Sequence, residues 1–358
     1  MSGRGGVTVN DVTAAGEGPV PGVLPGSPEP LASRYDVALL DLDGVVYIGG
    51  SAIPGAAEAL AKAAAAGMGL AFVTNNASRT PSAVAAQLTE LGVPARAEEV
   101  ITSAQAAARL LAERLPLGAP VLVVGGMGLR VAVRERGFRP VSVASERPAA
   151  VVQGYAPDIG YSLLAEGALA VANGAWYVAS NGDLTLPSAH GRQPGNGSLI
   201  QVIVAATGQR PVIAGKPEPP LHAEAVARTG AQRPLVVGDR LDTDIESAVR
   251  SGADSLLVLT GVTRPIDVVL APPQQRPTYL AEGLAGLLVS HPAVIRDNGG
   301  FRSQGWQARW RDSRELGVTG SGTAIDGLRA VCAAVWSGES GDAPDAGAVE
   351  PALAALNE

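Results

Sequence analysis

The sequence predicts an α/β fold: a Rossmann-like parallel-sheet core, an inserted second α/β unit, and a small C-terminal β/α appendage. Runs of about four apolar residues alternate with Ala-rich helical segments, which is typical of parallel strands buried on both faces. This alternation restarts after residue 116 and the first pattern resumes after residue 209, as expected of an insertion. After residue 290 the pattern changes to one alternating segment followed by one helical segment.

The composition fits a globular protein, since 46% of the 358 residues are hydrophobic. The formal charge is −7, without the grouped Lys and Arg that nucleic acids or anionic membranes require, so neither is expected as a partner. The single Cys332 excludes an internal disulfide framework. No apolar stretch approaches the length of about 18 residues that a membrane span needs, and no signal peptide is recognisable. We therefore expect a cytoplasmic protein.

Composition shifts divide the chain into segments. Residues 1–33 are crowded with Gly and Pro and lack apolar periodicity, which predicts a disordered leader. The predicted core comprises residues 34–116 and 210–290, and the inserted unit, or cap, comprises residues 117–209, with Pro and Gly near both junctions. Residues 291–358 form an extension with a flexible end.

The elements follow from the apolar runs and the residues that interrupt them. Gly67 and Gly92 end helices, and Pro81 opens one behind Thr80. The expected core strands are 37–40, 70–73, 212–214, 235–237 and 255–259, and the expected core helices are 56–66, 81–91, 102–115, 219–229 and 245–252.

The cap and the extension are interpreted in the same way. Gly125-Gly126-Met127-Gly128 lacks the dinucleotide-binding spacing and predicts a turn. Trp306–Trp310 alternates like an edge strand, and Ala324–Trp336 has helical periodicity. The expected cap strands are 121–124, 149–152 and 176–179, and the expected cap helix is 163–172.

Asp41-Leu42-Asp43-Gly44 directly follows the first core strand. Alternate residues of an extended chain point the same way, so both carboxylates face one side. Gly44 then allows a sharp turn. Open α/β sheets bind ligands at the carboxyl ends of their strands, so this stretch is a candidate site. By itself, an Asp-Gly pair after a strand is equally consistent with a simple turn.

Further polar residues follow other core strands. Because the carboxyl ends of parallel strands meet at one edge of a sheet, we expect these residues to converge with Asp41 and Asp43. They are Thr74, Asn75 and Asn76 after the second strand, Lys216 after strand 212–214, and Asp239 and Asp244 after strand 235–237.

This set of residues suits phosphoryl transfer to a carboxylate. Asp41 would attack phosphorus and form an aspartyl-phosphate, while Asp43, held protonated, would protonate the leaving alkoxide and later activate water. At close range a carboxylate repels a phosphate dianion by roughly several kcal/mol. Lys216 supplies one compensating charge. A hard divalent cation with oxygen ligands supplies two, so Mg²⁺ is the expected cofactor.

Four stretches occur in a fixed order at these strand ends: Asp41-Leu42-Asp43-Gly44-Val45, Thr74-Asn75-Asn76, Gly215-Lys216-Pro217 and Gly238-Asp239-Arg240-Leu241-Asp242-Thr243-Asp244-Ile245. They resemble the four motifs of haloacid dehalogenase-like phosphatases, specifically the type IIA, 4-nitrophenylphosphatase-like branch, whose α/β cap lies between the second and third motifs. The resemblance covers residues 34–290, including cap residues 179–187 and 194–198.

The resemblance implies roles for the matching residues. Asp41 is the implied nucleophile and Asp43 the acid/base, while Thr74 and Lys216 bind the phosphate. The implied metal ligands are Asp41, the carbonyl of Asp43 and Asp239, with Asp244 supporting the site indirectly or through water.

Several assignments stay open at this point. Asn75 and Asn76 contact phosphate or substrate, or merely close a turn. Asp183 is a loop residue or faces the substrate. Gly215-Lys216 is not a nucleotide-binding P-loop, because Pro217 stands where Ser or Thr belongs.

The expected substrate is a small organic phosphomonoester. Pyridoxal-phosphate enzymes of the branch carry a His where this chain has Leu186, which disfavours that substrate. The extension resembles the incomplete acetyltransferase-type fold of glycerol 3-phosphate phosphatases, so glycerol 3-phosphate ranks first. It lacks an acyl-CoA pyrophosphate loop, so no acetyltransferase activity is expected.

Other functions remain as alternatives. These are phosphatases of the same family acting on nucleotide, sugar or pyridoxal phosphates, a phosphotransferase, and a non-catalytic phosphate-binding module. Intact Asp41, Asp43 and Lys216 argue against the last, since a pure binder has no need of an acid/base. Whether the protein forms a homo-oligomer is left open.

Overall fold

The computed structural model describes residues 18–19, 24–188, 191–312, 315–338 and 346–357. It contains two compact units, one formed by residues 27–291 and the other by residues 1–26 with 292–358. In the described part of the chain, no helix is both long and apolar enough to cross a membrane.

The core of the first unit is a six-stranded parallel sheet. Numbered along the chain, its strands lie in the order 3-2-1-4-5-6, so the first strand, Val37–Leu40, is central as expected and pairs with the second and fourth. The switch point between the first and fourth strands is where such sheets bind ligands. The strands are Val37–Leu40, Gly69–Thr74, Val100–Thr102, Pro234–Gly238, Asp254–Val258 and Tyr279–Ala281.

Helices cover the core sheet, and their ends follow the capping residues that the sequence contains. Thr80 Oγ1 accepts a hydrogen bond from the N–H of Ala83 at the start of helix Pro81–Glu90. The helix predicted over 219–229 is found with those bounds. The core helices are Leu31–Arg34, Ala56–Ala65, Pro81–Glu90, Ser103–Ala112, Pro219–Thr229, Glu246–Ser251 and Pro265–Val269, with a π-helical turn at Leu241–Ile245.

The cap is a second parallel sheet, inserted into the first pattern as predicted. Two of its helices, 127–135 and 196–207, were not predicted, and the first begins within the glycine-rich stretch interpreted as a turn. In sheet order, the cap strands are Val212–Ile213, Trp176–Ala179, Ala150–Gln153, Pro120–Val124 and Arg139–Val141. The cap helices are Met127–Glu135, Tyr161–Ala172 and Asn196–Thr207. A separate antiparallel pair is formed by strands Thr185–Ser188 and Gly191–Pro194.

The assignment of strand 212–214 to the core was wrong. Val212 pairs with Val178, so Val212–Ile213 is an edge strand of the cap sheet. A short apolar run of this kind fits either sheet, and only the pairing decides between them.

Core and cap share one apolar cluster. Leu39 and Val73 of the core sheet belong to the same cluster as Val123 and Val178 of the cap sheet. Helix Ser103–Ala112 contributes most of its residues to the cluster, and its alanines take little room. The two sheets are therefore packed through one continuous interior.

The second unit is an antiparallel sheet with two helices. Trp306–Asp312 pairs on both sides, so its prediction as an edge strand was wrong, whereas helix Ala324–Trp336 is confirmed. In sheet order, the strands are Gly18–Pro19, Ile295–Asp297, Gly300–Ser303, Trp306–Asp312 and Glu315–Gly320, and the helices are Ala324–Trp336 and Ala346–Ala354.

The predictions for the two ends of the chain need correction. A disordered leader over residues 1–33 is wrong for 24–33, because Leu24 is buried and Leu31 lies in the apolar core of the first unit. The flexible end likewise contains a helix, Ala346–Ala354. Residues 1–17, 20–23, 339–345 and 358 lie outside the described residues.

Candidate active site

Asp41 lies at the switch point of the core sheet. Its N–H donates to the carbonyl of Val237 at 2.8 Å, which continues the pairing of the first and fourth strands. The chain then turns at Gly44, whose φ is +84°. A Cβ on Gly44 would lie 2.5 Å from Asp239 Oδ2. Only glycine both adopts this φ readily and lets the two strand ends approach so closely.

Lys216 is buried among acceptors. Its Nζ donates to Asp41 Oδ1 at 2.5 Å, to Asp244 Oδ1 at 2.7 Å and to the carbonyl of Val73 at 3.1 Å. All three ammonium donors are therefore used. The side chain joins three of the four predicted motifs at one point.

Three carboxylates surround this lysine. Asp41, Asp239 and Asp244 each offer an oxygen, and the three atoms lie within 4.8 Å of one another. Asp239 Oδ2 accepts from the N–H of Val262 at 2.7 Å, whereas the buried Oδ1 has no hydrogen-bond partner among the described residues. An oxygen-only cluster with an unpaired buried carboxylate oxygen fits a hard divalent cation such as Mg²⁺.

The crowding of these charges shifts their pKa values. Burial raises the pKa of Asp41 to about 8, opposed by Lys216 and reinforced by Asp244. Burial, together with Asp244, raises the pKa of Asp239 to about 6. Burial lowers the pKa of Lys216, but Asp244 and Asp41 more than offset it, so the net shift is upward. Without a cation, the cluster therefore retains protons that a bound cation would displace.

Asp43 lies just beyond this cluster and is exposed. Partial desolvation by neighbouring atoms raises the pKa of its carboxyl, and the N–H of Gly49 opposes the shift. A raised pKa is the direction that a general acid needs near neutral pH. The pKa of Asp41 is raised as well, so the expected contrast of an ionised Asp41 beside a protonated Asp43 is not present without a cation.

Asn75 connects three loops. Its Oδ1 accepts from the N–H of Lys216 at 2.8 Å, and its Nδ2 donates to the carbonyl of Lys216 and to Asp183 Oδ2, both at 3.1 Å. Its own carbonyl accepts from Asn181 Nδ2 at 2.8 Å. Asp183 and Asn181 belong to the cap, so this amide holds a cap loop beside the lysine of the core.

The other side chains of the Thr74–Asn76 turn form hydrogen bonds within the same loop. Thr74 Oγ1 accepts from the N–H of Asn76 at 3.1 Å, and Asn76 Oδ1 accepts from the N–H of Ser78 at 2.9 Å. These hydrogen bonds close a turn, which is one of the two roles that the sequence allowed for Asn76. The side chain of Asn76 is therefore engaged within its own loop.

Asp183 is brought to the site from the cap. Burial raises the pKa of its carboxyl, and Arg240 and the hydrogen bond from Asn75 oppose the shift. Sequence reasoning missed Ser103, whose Oγ donates to the carbonyl of Asn75 at 2.6 Å. A serine at a helix start carries no signal that distinguishes this role.

The fold and site define a hydrolase class: an α/β sheet with an aspartate at its switch point, a buried lysine beside it and a cap loop above. Family profiles agree, matching residues 38–139 (haloacid dehalogenase-like hydrolase), 213–287 (HAD-hydrolase-like) and 303–357 (GCN5-related N-acetyltransferase-like domain).

Individual proteins that this chain is similar to include phosphatases. The chain is 45% identical over 320 residues to the D-glycerol 3-phosphate phosphatase of Mycobacterium tuberculosis, covering 87% of this chain and 89% of that protein. The crystal structure of a glycerol phosphate phosphatase from that organism with magnesium matches with a TM-score of 0.82 and 42% identity, over 92% of this chain and 99% of that one. A 4-nitrophenylphosphatase from Thermotoga maritima matches with a TM-score of 0.67 and 29% identity, over 72% and 98%.

The chain therefore belongs to the haloacid dehalogenase-like hydrolases, in their 4-nitrophenylphosphatase-like, type IIA branch.

Proposed function

We propose that this protein is a Mg²⁺-dependent phosphatase that hydrolyses a small organic phosphomonoester, glycerol 3-phosphate first among them, through an aspartyl-phosphate on Asp41. The cluster of Asp41, Lys216 and Asp239 at the switch point of the core sheet carries the proposal. It combines a nucleophile, a fixed positive charge and an unpaired oxygen for a cation.

In the first step, a carboxylate oxygen of Asp41 attacks phosphorus and the ester P–O bond breaks. Asp43 donates its proton to the leaving alkoxide. In the second step, Asp43 accepts a proton from water, whose oxygen attacks the phosphorus of the aspartyl-phosphate, and inorganic phosphate leaves Asp41. The raised pKa of Asp43 supports its role as the acid, whereas Asp41, whose pKa burial raises to about 8, would need a bound cation to stay ionised as the nucleophile.

Two groups supply the counter-charge. Lys216 donates to Asp41, and on substrate binding its Nζ would turn a donor from a present partner to the incoming phosphoryl oxygens, which the hydroxyl of Thr74 would also bind. Mg²⁺ would be held by Asp41, the carbonyl of Asp43 and Asp239, where it would neutralise phosphate charge. Asp244 would act indirectly, because its Oδ1 accepts from Lys216 and its Oδ2 from the N–H of Arg240.

The position of Asp183 in the cap loop favours a small substrate that carries a hydroxyl group. Asp183 offers an acceptor for a hydroxyl group beside the phosphate site, fixed by Asn75. The relative from M. tuberculosis, a D-glycerol 3-phosphate phosphatase, supports glycerol 3-phosphate in particular. Nucleotide, sugar and pyridoxal phosphates are the alternatives at the same site.

A substrate panel tests the proposal. Phosphate release would be measured with Mg²⁺ for glycerol 3-phosphate, a nucleoside monophosphate, a sugar phosphate and pyridoxal phosphate. The expected result is the highest kcat/KM with glycerol 3-phosphate. A higher value with another ester would overturn the substrate, and release of no phosphate from any ester would overturn the function. Capture of the phosphoryl group by an added alcohol would instead indicate a phosphotransferase.

We also infer a cytoplasmic enzyme without a nucleic-acid partner. The acidic net charge, the absence of grouped basic residues and the single cysteine support this setting.

A further inference from the structure

A second buried charge cluster lies away from the catalytic residues. Glu224, on helix 219–229, has a side chain that is only 1% exposed. Its carboxylate accepts from Arg136 and Arg228 at 2.7 Å and from Arg109 at 3.4 Å. A buried carboxylate is stable only when it is paired in this way, and removal of a partner is costly.

The three arginines come from different parts of the molecule. Arg109 and Arg228 belong to core helices 103–112 and 219–229, whereas Arg136 follows cap helix 127–135. Arg136 and Arg228 both donate to Oε1 at the same distance, and their side chains are 36% and 32% exposed. The two contacts are chemically alike, but only the one with Arg136 connects the cap to the core.

The start of cap helix 127–135 contacts the phosphate loop, residues 74–79, which includes the proposed phosphate ligand Thr74. The N–H of Gly128 donates to the carbonyl of Ser78 at 3.0 Å. A Cβ on Gly128 would lie 2.3 Å from the carbonyl oxygen of Arg79, so the helix and this loop are in direct backbone contact. Residues 77–79 directly follow the Thr74–Asn76 turn.

Helix 127–135 is therefore fixed to the core at both ends. At its start it contacts the loop that follows Thr74, and at its end Arg136 contacts Glu224. Glu224 lies on the helix that begins just after Lys216. The cap helix thus contacts the loop that follows Thr74 at one end and, through Arg136, the helix that follows Lys216 at the other.

We propose that the ion pair of Glu224 and Arg136 is a positioning contact for phosphate binding, acting through helix 127–135 on the loop at residues 74–79. This inference rests on the proposed function for its kinetic consequence. Glu224 touches no reacting atom, and its effect passes through backbone contacts at Gly128 and Ser78. Loss of the contact loosens the phosphate loop and weakens substrate binding more than it slows chemistry.

Two matched variants test the proposal. Arg136→Met removes the ion pair that joins the cap to Glu224, while Arg228→Met removes a partner of Glu224 within the core. Arg136→Met is expected to raise KM about five- to tenfold with kcat changed less than about twofold, whereas Arg228→Met leaves KM within about twofold. Arg136→Lys, which keeps the charge, is expected to recover most of the affinity.

A readout without turnover separates this inference from the proposed function. Hydrogen–deuterium exchange in residues 74–79 is expected to rise in Arg136→Met and to stay at the wild-type level in Arg228→Met. Equal exchange and equal KM in the two variants would overturn the positioning role and leave a purely structural ion pair. If the wild type releases no phosphate, the proposed function is wrong. The difference in exchange between Arg136→Met and Arg228→Met then decides by itself whether Arg136 positions residues 74–79.

Discussion

Two buried clusters of the first unit have opposite charge compositions. At the active site, three aspartates lie together with one lysine, which pairs with two of them, whereas one glutamate pairs with three arginines at the contact between cap and core. Lys216 and Asp244 are 7% and 1% exposed, but each of the three arginines is about a third exposed. Water screens the excess positive charge of the arginines, while nothing comparable screens the excess negative charge around Lys216.

The difference separates a binding site from a structural contact. Excess charge that reaches solvent needs no ligand, because solvation balances it. Excess charge that is enclosed requires protons or a cation, and the raised pKa values of Asp41 and Asp239 express that requirement.

Asp41→Asn removes the proposed nucleophile from the acidic cluster. The expected result is a fall in kcat of at least about 10⁴-fold, since an amide cannot form the aspartyl-phosphate. Phosphate release with saturating substrate measures it. Asp242→Asn is the control, because that carboxylate is 61% exposed and pairs only with Arg240 in the described structure. Retained activity in Asp41→Asn would contradict the mechanism.

Removal of Mg²⁺ with EDTA is expected to lower activity about a thousandfold, with recovery when Mg²⁺ is restored. A saturating cation also stabilises the fold, by about 2.7 kcal/mol at a hundred times its Kd. Thermal melting should therefore show a Mg²⁺-dependent rise in Tm for the wild type and for Glu224→Gln, but not for Asp239→Asn. A rise of equal size in Asp239→Asn would place the cation elsewhere.

Glu224→Gln leaves three guanidiniums around a neutral amide. The free energy of unfolding is expected to fall by about 3 kcal/mol, the low end for a broken buried pair because the arginines are partly solvated. Urea denaturation measures it. The control is Glu113→Gln, whose carboxylate is 58% exposed and lies 3.8 Å from Arg109, with an expected loss below about 0.5 kcal/mol. If the free energy of unfolding falls by a similar amount in both variants, the buried pairs of Glu224 are no more stabilising than the exposed pair of Glu113.

The metal-free protein should lose stability as pH rises. Asp239 has a pKa of about 6 in the fold against an ordinary 3.8, so the folded state holds more protons than the unfolded state between these values. The stabilisation that Asp239 contributes to the free energy of unfolding is fully present below pH 3.8 and is lost as the pH rises through 6. The loss is about 2 to 3 kcal/mol. Denaturation with EDTA at a series of pH values measures the slope. Asp239→Asn should reduce the slope below pH 6 and leave the part that Asp41, with a pKa of about 8, contributes; an unchanged slope would contradict the assignment.

The sequence predicted the active-site elements well, because each required only local information. An apolar run that ends in a polar residue predicts a strand end, and parallel pairing brings such ends together whatever their separation along the chain. Asp41, Asp239 and Asp244 converge for this reason, whereas Lys216 follows an edge strand of the cap sheet and reaches them from there. Their roles as nucleophile, phosphate ligand and metal ligands remain predictions.

The features that escaped prediction depend on nonlocal pairing. The run at 212–213 suits either sheet, and Leu31 becomes a core residue only through packing that its Pro-rich surroundings do not indicate. Glu224 lies on helix 219–229 and Arg136 just after helix 127–135, 88 positions apart, and no periodicity links them. Which surface charges become buried together is decided by how the cap packs on the core.

The alanines of helix 103–112 have a consequence for protein engineering. Because core and cap share one interior through this helix, the cap is not an exchangeable module bounded by its two linkers. A chimera that imports residues 117–213 from a relative with another substrate would bring a foreign surface against Ala104, Ala107 and Ala108. Such a graft would need the donor's version of this helix to fold.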